Sequence, residues 1–160
     1  MGIRVKQRDI TDCGAACLTS IASYYKVNLP LARIRQYACT DRKGTNVLGM
    51  IEAADKMGFT ARGVRADWDS LFKVPVPAVA HVVIKGILTH YVVIMKATNK
   101  YIRVMDPSDG EIHKLGHDVF KEQWTGVLIL IAPGERFRIR DEKGKLWTRL
   151  LHLVKPSKSI

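Results

Sequence analysis

Gln7-Arg8-Asp9-Ile10-Thr11-Asp12-Cys13-Gly14-Ala15-Ala16-Cys17-Leu18 mounts a thiol on the opening turn of an apolar helix. The pattern predicts that helix from Asp12, as N-cap, to about Lys26, with Leu18, Ile21, Ala22 and Tyr25 as its apolar stripe. Cys13 then lies beside unpaired backbone N–H groups and the positive end of the helix dipole, which favours thiolate over thiol. Gly14, Ala15 and Ala16 leave space for another chain to approach the sulfur. A nucleophilic cysteine is mounted in this way. A buried structural thiol needs none of it.

Downstream, two further helices are expected. Pro30 suits the first turn of one over Leu31–Ala38, and Gly44-Thr45-Asn46 precedes another from about Val47 to Met57. The stripe of the latter is Val47, Met50, Ile51 and Ala54, and Gly58 suits its C′ position. After Gly58 the hydrophobic period changes to two. Strands are predicted at Thr60–Arg65, Ala78–Ile84, His90–Lys96, Lys100–Asp106 and Gly126–Ala132, with a short helix over Asp118–Trp124. Helices followed by an antiparallel sheet make an α+β domain, the helical part packed on the sheet.

Composition narrows the function classes. The chain has 160 residues, 47% of them apolar, enough for one domain with a single core. Three cysteines, an odd number, read as reduced thiols in a cytosolic setting. Charged residues open the chain with no apolar h-region behind them, so no signal peptide is expected. The longest apolar runs, Ala78–Ile84 and Val127–Ala132, have strand length and fall short of a membrane span. The net charge of +11 suits nucleic acid, a membrane surface or an acidic peptide. Neither a zinc-finger spacing nor an aromatic RNA-binding motif is present, so no nucleic acid partner is expected.

A cysteine nucleophile requires a base, and the base an orienting acceptor. Of His81, His90, His113, His117 and His152, one gains an acidic partner from the strand pattern. A hairpin turning at Ala97-Thr98-Asn99 would set Met95 opposite Tyr101 and His90 opposite Asp106. Directly opposed Cβ atoms are about 5 Å apart, within imidazole-to-carboxylate reach. A slip of one residue would break the pair. Gln7 offers a side-chain amide which, with the Cys13 N–H, makes a donor pair for an oxyanion. Cys13, Cys17, Cys39 and a histidine could ligate zinc, but the spacings match no common finger, and Cys17 and Cys39 read as core thiols. Trp68, Trp124 and Trp147 carry no site pattern, and Asp109-Gly110 reads as a turn.

Four separated blocks resemble one family: Gln7 with Asp12-Cys13-Gly14-x-Ala16-Cys17-Leu18; Gly44-Thr45, Leu48-Gly49, Ala53-Ala54 and Gly58-Phe59; His90-Tyr91-Val92-Val93; and Asp106-Pro107. They resemble the bacteriocin-processing cysteine peptidases that form the N-terminal domains of peptidase-containing ABC transporters. The resemblance implies a papain-like fold with Cys13 as nucleophile, His90 as general base and acid, Asp106 as orienter and Gln7 at the oxyanion hole. It implies cleavage of precursor peptides after Gly-Gly, Gly-Ala or Gly-Ser, releasing an amphipathic leader during export; a leader-binding module that does not cleave is the alternative. It also implies transmembrane and ATPase partner domains, a site at the cytoplasmic face of a bacterial membrane, and no cofactor for this domain. ATP and magnesium would belong to the ATPase domain. No metal is expected, and a monomer is.

Residues 1–135 are therefore expected to form the peptidase domain. Residues 136–160 read as a polar linker and a basic amphipathic helix, with Leu146, Trp147, Leu150, Leu151, Leu153 and Val154 on its apolar face, which either lies at a membrane interface or docks on its own domain; the resemblance implies that it leads toward a membrane domain.

Overall fold

The structure, a computed structural model, describes residues 2–38, 44–134 and 155–156. Helices α1 (Cys13–Tyr24), α2 (Leu31–Tyr37) and α3 (Val47–Lys56) come first. There follow β1 (Phe59–Arg65), α4 (Trp68–Leu71), β2 (Ala78–Ile84), β3 (Leu88–Ala97), β4 (Tyr101–Asp106), β5 (Glu111–Gly116), α5 (His117–Gln123) and β6 (Trp124–Pro133). A two-residue strand, β7 (Lys155–Pro156), pairs with β1. The sheet is antiparallel in the order β5-β4-β3-β2-β6-β1-β7. The α+β expectation holds.

The apolar alternation explains why both faces of the sheet are covered. One side carries Val79, Val93, Met105, Ile129 and Ile131 against Leu18, Ile21, Ile34 and Met50 of the first three helices. The other carries Ala80, Val92, Ile94, Val104, Leu128 and Leu130 against Leu71 and Phe120 of α4 and α5. Each fully buried Leu or Ile side chain contributes roughly 1.5–3 kcal/mol. Strands buried on both faces read as short continuous apolar runs, as β2 and the middle of β6 do.

Helix α1 departs from the expected stripe. Every residue from Cys13 to Ala22 is buried, because the sheet lies on one side and α2, α3 and the N-terminal segment on the others. Small side chains permit this approach. A Cβ on Gly14 would stand 3.1 Å from Met50 Sδ and 3.2 Å from Thr45 Cβ. Inside the helix, Thr19 returns its hydroxyl to Ala15 O at 2.8 Å.

The start of α1 also differs. Asp12 makes no side-chain cap. Instead Asp9 caps a single 3₁₀ turn over Ile10–Asp12, and the Asp12 carboxylate returns to the Asp9 N–H at 3.0 Å, a reciprocal capping box. Asn46 caps α3 by accepting from Gly49 N–H at 2.7 Å, and Gly58 takes the left-handed conformation, φ 95°, just beyond the α3 C-cap.

Two elements escaped the sequence pattern. β5 is an edge strand with mostly exposed or half-exposed side chains, so no apolar run marks it, and α4 is a single turn. The helix expected over 146–155 lies outside the described residues except for Lys155, which is in β7. Cys39 lies outside them as well.

Gly49 is where α3 meets the end of α2: a Cβ there would lie 2.5 Å from the Ala38 carbonyl oxygen. Gly49→Ala should destabilise the fold by about 1–3 kcal/mol through overpacking, read as a lower urea midpoint with an unchanged m value. A wild-type midpoint would mean that the two helices separate without cost.

Candidate active site

Cys13, the first residue of α1, is only 8% exposed. Its helix packs on β3, whose third residue is His90, itself 5% exposed. His90 Nε2 lies 2.7 Å from Asp106 Oδ1, at the C-terminal end of β4. The Cys13 side chain acts on the same imidazole and favours its charged form. With Nε2 engaged by Asp106, the nitrogen left for the sulfur is Nδ1. Asp106 is held in turn: Oδ1 accepts the Ser108 N–H at 2.9 Å, and its carbonyl accepts the Gly110 N–H at 2.8 Å.

The register that assembles this pair is not the expected one. Near the loop, Ala97 faces Ile102 and Lys96 faces Arg103; beyond a bulge, Ile94 faces Val104 and Val93 faces Met105. The loop therefore runs one residue later than expected, and β3 carries one extra residue at Met95. His90 and Asp106 are diagonal neighbours rather than directly opposed. Continuing the loop-end register without the bulge would give the two residues opposite parity. The extra residue restores it.

Charge and burial act in opposite directions on the pair. Burial disfavours the His90 imidazolium, but hydrogen bonds to Asp106 and Cys13 outweigh it and raise the pKa to about 9. Burial likewise works against the Asp106 carboxylate, yet donation from His90 and Ser108 holds its pKa at about 2. Burial, then the charges of Cys13 and Asp106, push the Cys17 thiol well up, so this fully buried thiol stays protonated. Tyr91, next to His90, is pushed to about 12 by burial and then by the charges of the two thiols.

Gln7 reaches the same corner by another route. Its backbone N–H donates to Pro107 O at 2.8 Å, placing the residue against the turn that follows Asp106. Its Oε1 is buried without a hydrogen-bond partner. The other described histidines lie elsewhere. His81 Nδ1 is 3.0 Å from Thr125 Oγ1, and His117 Nε2 donates to Thr98 O at 2.7 Å. His113 has an acidic partner that strand opposition does not supply: Nε2 lies 2.7 Å from Asp109 Oδ2, where the β4–β5 turn folds back, and both side chains are more than 40% exposed. No group of three or more ionisable or sulfur side chains suited to a metal occurs among the described residues.

Two features of the site carried no local sequence pattern. Asp12, fully buried beside the thiol, forms an ion pair with Arg35 of α2, Nε to Oδ1 2.8 Å. A groove of about 300 Å³ opens beside Tyr91, lined also by Asn46, Val47, Arg65, His81 and Thr125. His81 projects there because it alternates along β2 with Ala80 and Val82, which face the other side of the sheet.

Residues 3–136 match the model of the Peptidase C39 family. The chain belongs to that family. It is 34% identical over 160 residues, 98% of its length, to the mesentericin-Y105 transport/processing ATP-binding protein MesD of Leuconostoc mesenteroides. It is 36% identical over 154 residues to the transport/processing ATP-binding protein ComA of Streptococcus pneumoniae. The chain spans about a fifth of the length of these relatives, 22% and 21%. Among solved structures, the peptidase domain of Streptococcus ComA superimposes with a TM-score of 0.75 at 35% identity, covering 81% of this chain and 96% of that one. A double-glycine motif protease from an AMS/PCAT transporter, solved with its leader peptide, gives 0.75 at 30% identity, covering 81% and 89%. This C39 domain is thus a peptidase with the papain-like fold, its thiol on a helix and its histidine on a sheet. In the described residues no helix is long and apolar enough to cross a membrane.

The stabilisation that His90 gains from its partners is complete below its ordinary pKa of 6.5 and is lost as pH rises through about 9. That of Asp106 is complete above 3.8 and is lost as pH falls through about 2. An NMR titration should therefore place the His90 midpoint near 9, and in Asp106→Asn below that of wild type, because the carboxylate that favours imidazolium is gone. An unmoved midpoint in the variant would contradict the 2.7 Å contact.

Proposed function

We propose that this C39 domain is a leader peptidase, cutting precursor peptides after Gly-Gly, Gly-Ala or Gly-Ser with Cys13, His90, Asp106 and Gln7 as its working residues. The observation that carries the reading is the 2.7 Å contact of the His90 imidazole with the Asp106 carboxylate, on the strand against which the Cys13 helix packs and next to Tyr91, which lines a groove. The double-glycine motif protease solved with its leader, and the transport/processing relatives, support the substrate class.

The steps use side chains of this chain and water. The Cys13 thiolate attacks the carbonyl carbon, forming the C–S bond and moving the carbonyl electron pair onto oxygen. The Cys13 N–H and the Gln7 amide receive that oxyanion. As the tetrahedral centre collapses, the C–N bond breaks and the His90 imidazolium protonates the leaving amine. Neutral His90 then takes a proton from water, which attacks the thioester and releases the thiolate. Asp106 keeps the imidazole oriented throughout.

The burial of the nucleophile supports the choice of substrate. With the sulfur residue 8% exposed and the neighbouring Tyr91 9% exposed, the approach favours residues with almost no side chain. The groove beside Tyr91 suits the peptide flanking the cut. In this reading the domain works beside the transmembrane and ATPase parts of an exporter, at the cytoplasmic face of the membrane. ATP and magnesium serve the ATPase part.

A synthetic leader–cargo peptide with one Gly-Gly site tests this by mass spectrometry. Wild type should cut once, after the second glycine; Cys13→Ala should bind without cutting. Gln7→Ala should lower kcat by about 10²–10³, and His90→Ala by about 10²–10⁴. Cleavage by Cys13→Ala, or saturable binding without cleavage by wild type, would overturn the proposal.

A further inference from the structure

The N-terminal segment crosses the β4–β5 turn at close range. Ile3, Val5 and Gln7 are half-buried while Arg4 and Lys6 face outward, so the segment lies extended with one side inward. At one end the Ser20 hydroxyl of α1 donates to the Ile3 carbonyl. At the other, the Gln7 N–H donates to Pro107 O at 2.8 Å. Between them Lys6 passes over Gly110: an ideal Cβ on Gly110 would lie 2.9 Å from Lys6 Cβ, 3.0 Å from its N and 3.1 Å from its Cα.

Gly110 meets two demands at once. Its φ of 72° is left-handed, and its missing side chain is the space Lys6 occupies. Because the crowding involves Lys6 backbone atoms, a methyl group must displace the segment rather than rotate a side chain. The exposed ion pair of Arg4 with Glu111, 3.6 Å, adds little. Among the described residues, the hydrogen bond that holds Gln7 comes from its backbone N–H, and the buried Oε1 has no partner. The location of the amide is therefore inherited from the segment.

We infer that Gly110 is a positioning residue for Gln7: its turn seats the N-terminal segment at the distance that sets the Gln7 amide over the scissile carbonyl. This rests on the reading of Gln7 as oxyanion donor. The turn that holds Asp106 thereby also sets the path of the donor. Ser20 anchors the other end of the segment.

The test compares two reactions of the same thiol. Peptide cleavage passes through an oxyanion; alkylation by iodoacetamide, a displacement at carbon, does not. Gly110→Ala should lose about 10²-fold in kcat, the scale of a donor displaced by about 1 Å. Its alkylation rate at Cys13 and the alkaline limb of its pH profile should match wild type. Gly110→Ala/Gln7→Ala should be no slower than Gln7→Ala alone. Ser20→Ala, which adds no bulk, should show the same pattern with a smaller loss and carries the test if Gly110→Ala does not fold.

Wild-type kcat in the folded Gly110→Ala protein, or losses that multiply with Gln7→Ala, would overturn the positioning role. A loss accompanied by slower alkylation or a shifted alkaline limb would place the effect on His90 and Asp106 and overturn it too. Undiminished kcat in Gln7→Ala would instead remove the oxyanion reading, and the role of the segment with it.

Discussion

The 2.7 Å contact between His90 Nε2 and Asp106 Oδ1 joins the two strands at the point where the helical layer meets the sheet. A half-buried carboxylate and a buried imidazole would each be costly alone. Paired, with Ser108 donating to the same oxygen, they hold one another in charged form. The contact constrains the β3–β4 register, the β4–β5 turn and, through Pro107, the path of the N-terminal segment.

Helix α1 imposes the complementary constraint. Its N-terminus lies close to the sheet, and the helix is buried from Cys13 to Ala22. Small residues make that approach possible, and some of the polar groups taken inside are matched: Thr19 to Ala15 O, Asp12 Oδ2 to the Asp9 N–H, and Asp12 Oδ1 in an ion pair with Arg35, while the buried Ser23 Oγ has no hydrogen-bond partner. The Asp12–Arg35 pair places a buried charge directly before Cys13. Such a pair is weak support for stability when compared with an apolar core, but removing one partner strands the other. Its position suggests a role in holding the turn that presents Cys13 rather than in stabilising the whole.

Much of this was legible from residue pattern. The change of hydrophobic period after Gly58 separates helices from strands, and β2 falls at its expected limits, Ala78–Ile84. Cys13 at a helix start, and His90 and Asp106 on adjacent strands, follow from local spacing. The edge strand β5 was not legible, because half-exposed alternating residues lack the apolar run that marks a buried strand. The His113–Asp109 pair was missed for a related reason: it depends on the fold-back of a turn, not on strand opposition. Arg35 and the groove beside Tyr91 join elements far apart in sequence, and no spacing encodes them.

The sequence by itself determined the class of fold, the helix that carries the thiol and the residues proposed to act on a carbonyl. These depend on periodicity, capping and side-chain chemistry, which are local properties. Only the tertiary structure decided how those residues meet. One extra residue at Met95 sets the parity of β3 against β4, and the empty side of Gly110 sets how near the N-terminal segment lies. A strand's side-chain period is two, so a single inserted residue exchanges its faces. Pattern along one strand cannot show whether its partner compensates.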